Sequence, residues 1–317
     1  MESLDVSSAP QDTGSPGKQR NSRANAGILL AFGGIGFWST NALAGSTALQ
    51  SLDIGIVLVL QFCSATAALA VIHLLRAPRG RTAAEPLTRR DYWTGAFVGI
   101  IGFAGTQTTQ YLGFAYAPIV ESNIIAYGWP MFAAVWLVLV TRTRGTLTGF
   151  ALSVLGFLGV ALMTVGQNES SGTGSGWGYA AALASAFCMA FYTLAAGRVR
   201  ASASYVMLCG GGVGIVIAFA IALLSDTDWN PSTAWAAMAY VGIGPCAAGF
   251  LLWSLGMSRS RGRLAPLGYA TPVLSTLVLL AAGRSFGGPA AFLGAVLVLL
   301  CTVGVLINDR VNGEGGL

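Results

Sequence analysis

Few side chains in this 317-residue sequence could do covalent chemistry. The sole histidine is His73, and no acid stands at helical spacing around it. Hydrolytic and metal-assisted reactions need His, Asp or Glu in clusters, or a nucleophile beside a base. No HExxH or P-loop motif is present. Cys63, Cys188, Cys209, Cys246 and Cys301 stand singly, without a CxxC pair, and read as small buried hydrophobes. An integral membrane enzyme is therefore not expected, nor is a metal or cofactor.

The remaining chemistry is recognition by uncharged groups. Thr106, Gln107, Thr108, Thr109 and Gln110 follow one another, and Gln107 and Gln110 share a helical face. Asn41, Gln61 and Asn123 are further amides inside apolar runs. Such groups need partners in lipid and so point inward. They could hold the ammonium and carboxylate of a zwitterion, or simply bond helix to helix for about 0.6–2 kcal/mol each. Trp38, Tyr127, Tyr192, Trp253 and Tyr269 could supply an aromatic cavity around the apolar half of such a ligand. Trp38 lies about 18 Å along a helix from Ala26, at or beyond the membrane midplane. Asn123, Tyr127 and Pro130 fall at i, i+4 and i+7 of one face. Trp93, Trp177, Trp229 and Trp235 sit near the ends of apolar runs and read as an interfacial belt.

Embedded ionisable residues are the usual coupling groups of pumps and antiporters. Asp53, His73 and Glu121 all fall near the ends of their runs, and Glu121 is the one coupling candidate. A facilitator is therefore expected ahead of a proton antiporter.

These residues must be positioned by membrane helices. The chain is 54% hydrophobic and 9% charged, with a mean hydropathy of +0.68. A soluble domain carries roughly 25% charged residues. Apolar runs long enough to span a bilayer occur at 26–47, 54–75, 93–115, 119–140, 147–166, 177–197, 204–224, 233–257, 265–283 and 288–307. Lys18, Arg20 and Arg23 before the first run mimic a signal peptide, but they lie too far from Met1. The 43 glycines, many inside the runs, read as sites of close helix packing.

Basic residues set the orientation. One alternating set of segments holds Lys18, Arg20, Arg23, Arg76, Arg79, Arg81, Arg89, Arg90, Arg142, Arg144, Arg198, Arg200, Arg259, Arg261, Arg263 and Arg310. The other holds Arg284 alone, with Asp53, Glu121, Glu169, Asp226 and Asp228. Both termini are expected in the cytoplasm. Positive charge spread over short loops is not the single patch that nucleic acid requires.

The runs repeat. Phe37-Trp38-Ser39 matches Phe191-Tyr192-Thr193, and Tyr127-Gly128-Trp129-Pro130 matches Tyr269-Ala270-Thr271-Pro272. Gly149 and Gly159-Val160 match Gly294 and Gly304-Val305. Two copies of five spans must enter the membrane from opposite sides, which is the inverted repeat of secondary transporters. Pro130 and Pro272, inside the matched spans, would kink them at equivalent points and could act as gating hinges. A channel is disfavoured, because no charged ring lines a pore.

On these motifs the chain resembles the drug/metabolite transporter superfamily, with EamA-type halves. The Trp-Ser-Thr at 38–40, the Trp-Pro at 129–130 and Tyr-Ala-Thr-Pro-Val-Leu-Ser at 269–275 resemble its bacterial aromatic amino acid exporters. The resemblance implies efflux across the bacterial inner membrane without ATP. The expected architecture is all-α integral membrane: ten transmembrane helices in two inverted five-helix repeats. A disordered tail covers 1–24, the repeats cover 25–167 and 175–308, and a second tail covers 309–317. The expected function is export of small amphipathic metabolites, aromatic amino acids foremost, by alternating access. The alternative is a broad-specificity, proton-coupled metabolite or drug exporter. The expected partners are a small-molecule substrate and the lipid bilayer, with one chain sufficient for function.

Overall fold

The structure is a computed structural model that describes residues 16–49, 51–76, 86–165, 174–225, 227–281 and 288–314. Arg79, Arg81, Glu169, Asp226, Arg284, tail residues 1–15 and the junction at 166–173 lie outside the described residues. All regular structure among the described residues is helical.

Thirteen α-helices follow one another: α1 (Pro16–Leu49), α2 (Ile54–Arg76), α3 (Arg89–Gly99), α4 (Thr106–Tyr116), α5 (Ile119–Ala126), α6 (Trp129–Thr141), α7 (Arg144–Val165), α8 (Gly176–Ala195), α9 (Ala203–Leu224), α10 (Ala234–Val241), α11 (Phe250–Ser260), α12 (Ala270–Ala281) and α13 (Pro289–Glu314). Helix starts follow local chemistry. Thr88 and Asp91 form a reciprocal capping box before α3. The Thr88 hydroxyl and backbone N–H hold the Asp91 carboxyl below its ordinary range. Ser175 and Ser202 cap α8 and α9 with their hydroxyls.

Seven helical stretches among the described residues are long and apolar enough to cross a membrane. They are Ile54–Leu75, Glu121–Thr141, Arg144–Met163, Gly176–Ala195, Ala203–Leu224, Ala234–Ser260 and Pro289–Val311. The continuous helical stretch from α3 to α4 is not one of them, because the polar run Thr106–Gln110 lowers its hydropathy. Large apolar side chains such as Leu29, Leu74, Leu223 and Leu224 face outward. An outward face of this kind is stable against lipid and not against water.

Helices α1 and α13 run further than the apolar runs. The α1 helix has 34 residues, or about 51 Å at 1.5 Å per residue, against a hydrocarbon core of about 30 Å. It starts at Pro16, within the segment expected as a disordered tail, and α13 continues to Glu314 through the other expected tail. A formed helix adds a hydrogen bond with each residue it recruits, and proline is well placed in a first turn.

Four irregularities break the regular helices. Ile100–Gly105 and Gly242–Gly249 are π-helical, the second holding Pro245. Widened turns of this kind absorb a residue that the α-helical bonding pattern cannot. Residues Tyr127 and Gly128 separate α5 from α6. A buried 3-10 turn, Ala265–Tyr269, leads into α12. It follows Arg261 and Gly262, both with positive φ. Pro130 and Pro272 therefore lie in the first turns of α6 and α12, where a missing N–H breaks no helical bond.

Helix packing is led by α7 on α13, α2 on α9, α4 on α8 and α1 on α11, followed by α1 on α12 and α3 on α9. Glycine permits the closest approaches. A Cβ on Gly159 would stand 2.8 Å from the Gly294 carbonyl oxygen.

Candidate functional site

The helices line a partly open cavity of about 100 Å³. Helix α1 contributes Trp38 and Asn41, and α4 contributes Thr106, Gln107, Gln110, Tyr111 and Phe114. Ala126, Tyr127 and Trp129 come from the α5–α6 break, and Ser185 and Met189 from α8. Pro245, Cys246 and Phe250 close one wall, and Gly268 and Thr271 another. No lining side chain is charged. The volume is below the ~150 Å³ of a cavity that accepts benzene. A molecule the size of an aromatic amino acid would therefore extend out of this space or require the walls to part.

The wall is built from interlocked rings. The Trp38 indole donates from Nε1 to the Pro245 carbonyl at 3.1 Å. It meets Phe250 edge-on, with centroids 5.3 Å apart, and Trp253 at 5.1 Å. Trp129 meets Trp253 edge-on at 5.4 Å. Gly249 leaves room for the Trp38 ring, and Gly268 leaves room for Trp129. Ring pairs in these geometries are worth about 0.5–1.5 kcal/mol beyond their burial.

The polar side of the wall belongs to α4. Gln107 donates to Cys246 Sγ, and Gln61 from α2 donates to the same sulfur at 2.9 Å. The Ser185 hydroxyl donates to the Thr106 carbonyl at 3.1 Å. These bonds fix the amides in place while leaving their remaining polar atoms for other partners. Gln110 lies one turn along the same face, half-buried.

Of the sequence candidates, Trp38, Asn41, Gln107, Gln110 and Tyr127 reach the cavity wall. Gln61 stands one layer behind it, on Cys246. Tyr192, Trp253 and Tyr269 are fully buried and pack behind the wall. Tyr192 lies against Gly102, Tyr269 against Gly156, and Trp253 donates from Nε1 to Thr193 Oγ1 at 3.2 Å. Asn123 does not line the cavity, although Tyr127, one helical turn further on, does. Glu121 is exposed in the first turn of α5 and accepts a hydrogen bond from the Tyr179 hydroxyl, away from the wall.

Trp129, Phe250, Tyr111 and Thr271 were not singled out as binding residues. Trp129 and Thr271 occupy the same place in the two matched motifs, directly before Pro130 and Pro272. That shared place was a usable signal.

The chain matches the EamA-like transporter family twice, over residues 25–165 and 176–307. It is 28% identical over 284 residues to the aromatic amino acid exporter YddG of Ancylobacter novellus, covering 88% of this chain and 95% of that protein. It also superposes on a solved crystal structure with a TM-score of 0.73 and 25% identity, over 90% of this chain and 99% of the other. With both halves matched and its apolar helices facing lipid, the chain is a multi-pass protein of the bacterial inner membrane and belongs to the EamA-like transporter family.

Proposed function

We propose that this protein exports small amphipathic metabolites, aromatic amino acids foremost, from the cytoplasm by alternating access and without ATP. The observation that carries this reading is the uncharged cavity whose wall combines aromatic rings with side-chain amides. Such a wall suits a ligand with an apolar ring and a polar head whose two charges cancel. The similarity to a protein named as an aromatic amino acid exporter points the same way.

The architecture proposed is ten spans in two inverted five-helix repeats, with both termini cytoplasmic. Matched contacts support it. Trp38 rests on Gly249 as Tyr192 rests on Gly102. Helix α1 packs on α11 and α12 as α8 packs on α4 and α6. The two π-helical turns and the two first-turn prolines recur in the same order. Helix α2 pairs with α9 and α7 with α13, as elements on a two-fold axis would. Substrate sits between such repeats, and rocking of one against the other exposes it to each side in turn. A single chain encloses the pathway. The absence of charge on the wall favours a facilitator over a proton antiporter.

Uptake of radiolabelled tryptophan, phenylalanine, threonine and alanine into liposomes holding the purified protein tests the proposal, with no ion gradient imposed. Saturable flux of the two aromatic substrates, well above that of threonine and alanine, is expected. No aromatic flux under any gradient would end the amino acid reading. Flux only with a proton gradient would end the facilitator reading.

A further inference from the structure

We propose that Thr271 is a substrate-binding residue, and that the substrate's carboxylate docks at its hydroxyl. The inference rests on the export reading above and specifies how the zwitterion is oriented within it.

Thr271 lines the cavity and is 5% exposed, yet its Oγ1 has no hydrogen-bond partner among the described residues. Many threonines on the helices bond back to their own helix. Thr276 Oγ1 donates to the Pro272 carbonyl at 2.9 Å, and Thr302 Oγ1 to the Val298 carbonyl at 2.9 Å. Although Thr66, Thr108 and Thr227 also lack a partner among the described residues, Thr271 is the one of these four that lines the cavity. An unsatisfied buried hydroxyl is costly. The residue lines the cavity while its hydroxyl oxygen is covered in this state, so a ligand that enters as the walls part would complete it.

The surroundings select the charge. Thr271 lies in the first turn of α12, a helix of 12 residues that begins at the cavity. The N-terminal end of a helix carries partial positive charge and favours anions. Helix α6 begins at the matched position, and its first residue, Trp129, also lines the cavity. A residue from each of these two helix starts therefore borders the same space, and no basic side chain competes for the carboxylate there. Discontinuous helices receive anionic substrate groups in transporters through this same electrostatics. The hydroxyl donates to a carboxylate oxygen. The ammonium then falls to the amide oxygens of α1 and α4, where Asn41 Oδ1 is likewise without a hydrogen-bond partner among the described residues.

Binding of radiolabelled tryptophan to detergent-purified wild type, Thr271→Val and Thr271→Ser, with indole-3-propionate and tryptamine as competitors, tests the proposal. Valine keeps the shape and deletes the donor. Thr271→Val is expected to weaken tryptophan binding about tenfold, the size of a lost hydrogen bond to a charged group. Thr271→Ser is expected to restore it. Indole-3-propionate should lose potency in parallel, while tryptamine, which lacks the carboxylate, should not. The substrate-free Thr271→Val protein should melt no lower than wild type, because the deleted group has no protein partner. Unchanged tryptophan affinity in Thr271→Val would overturn the proposal while leaving the export reading intact. Loss of tryptamine potency as large as that of indole-3-propionate would overturn the carboxylate assignment. A lower melting temperature would make the hydroxyl structural and overturn the proposal as well. Wild type that binds no tryptophan would instead defeat the export reading itself.

Discussion

Tyr192 lies directly on Gly102: a Cβ at that glycine would stand 2.5 Å from the tyrosine Cδ2 atom. The same relationship joins Tyr269 to Gly156, where a Cβ would stand 2.4 Å from the ring. Neither ring can retreat, since both are fully buried. Gly102→Ala and Gly156→Ala are each expected to cost about 1–3 kcal/mol through overpacking. Gly36, with nothing within 4 Å of an added Cβ, is the control. Gly36→Ala should melt at or above the wild-type temperature, since alanine favours helix by about 1 kcal/mol. Thermal unfolding in detergent checks all three. Wild-type melting of Gly102→Ala would show that Tyr192 is not held there.

Trp38 has two separable roles. Its ring edges the cavity, and its Nε1 ties α1 to the Pro245 carbonyl. Trp38→Phe keeps a ring and loses the bond, worth about 0.5–1.5 kcal/mol. A rise in KM for tryptophan of less than about tenfold is expected. Trp38→Ala removes the ring as well and should raise KM further. Equal KM values for the three proteins would remove Trp38 from the substrate path.

The uncharged wall predicts insensitivity to proton gradients. Glu121 is exposed and lies off the wall, so Glu121→Gln should leave flux unchanged with or without a pH difference. The measurement is tryptophan uptake at matched and at unequal internal and external pH. Abolition of a pH-driven flux by Glu121→Gln would make that carboxylate a coupling group.

Pro130 and Pro272 start helices and do not interrupt them. Pro130→Ala and Pro272→Ala should therefore change stability by less than about 1 kcal/mol. As pivots, they should lower the turnover rate and leave tryptophan affinity unchanged. Wild-type turnover in both variants would leave them as fixed joints.

The class of this protein was legible in its composition. With 9% of its residues charged, the chain cannot cover a surface of this size against water, and lipid is the remaining solvent. The transporter reading was legible in the order of the matched motifs. Gln107 and Gln110 were legible as inward-facing, since an amide in a membrane-spanning run needs a partner within the protein, and Trp38 was legible as lying near the midplane from its distance along the helix. What the sequence could not tell was which inward residues meet the cavity and which are covered. Periodicity reports one face of one helix, not the neighbour laid over it. Tyr192, Trp253 and Tyr269 are covered because glycines and small residues distant in sequence let helices close over them. Trp129 and Thr271 reach the cavity because the backbone breaks at Tyr127–Gly128 and turns at Ala265–Tyr269. Each break resets the helical period, so side chains beyond it take a direction that only the packed tertiary structure decides.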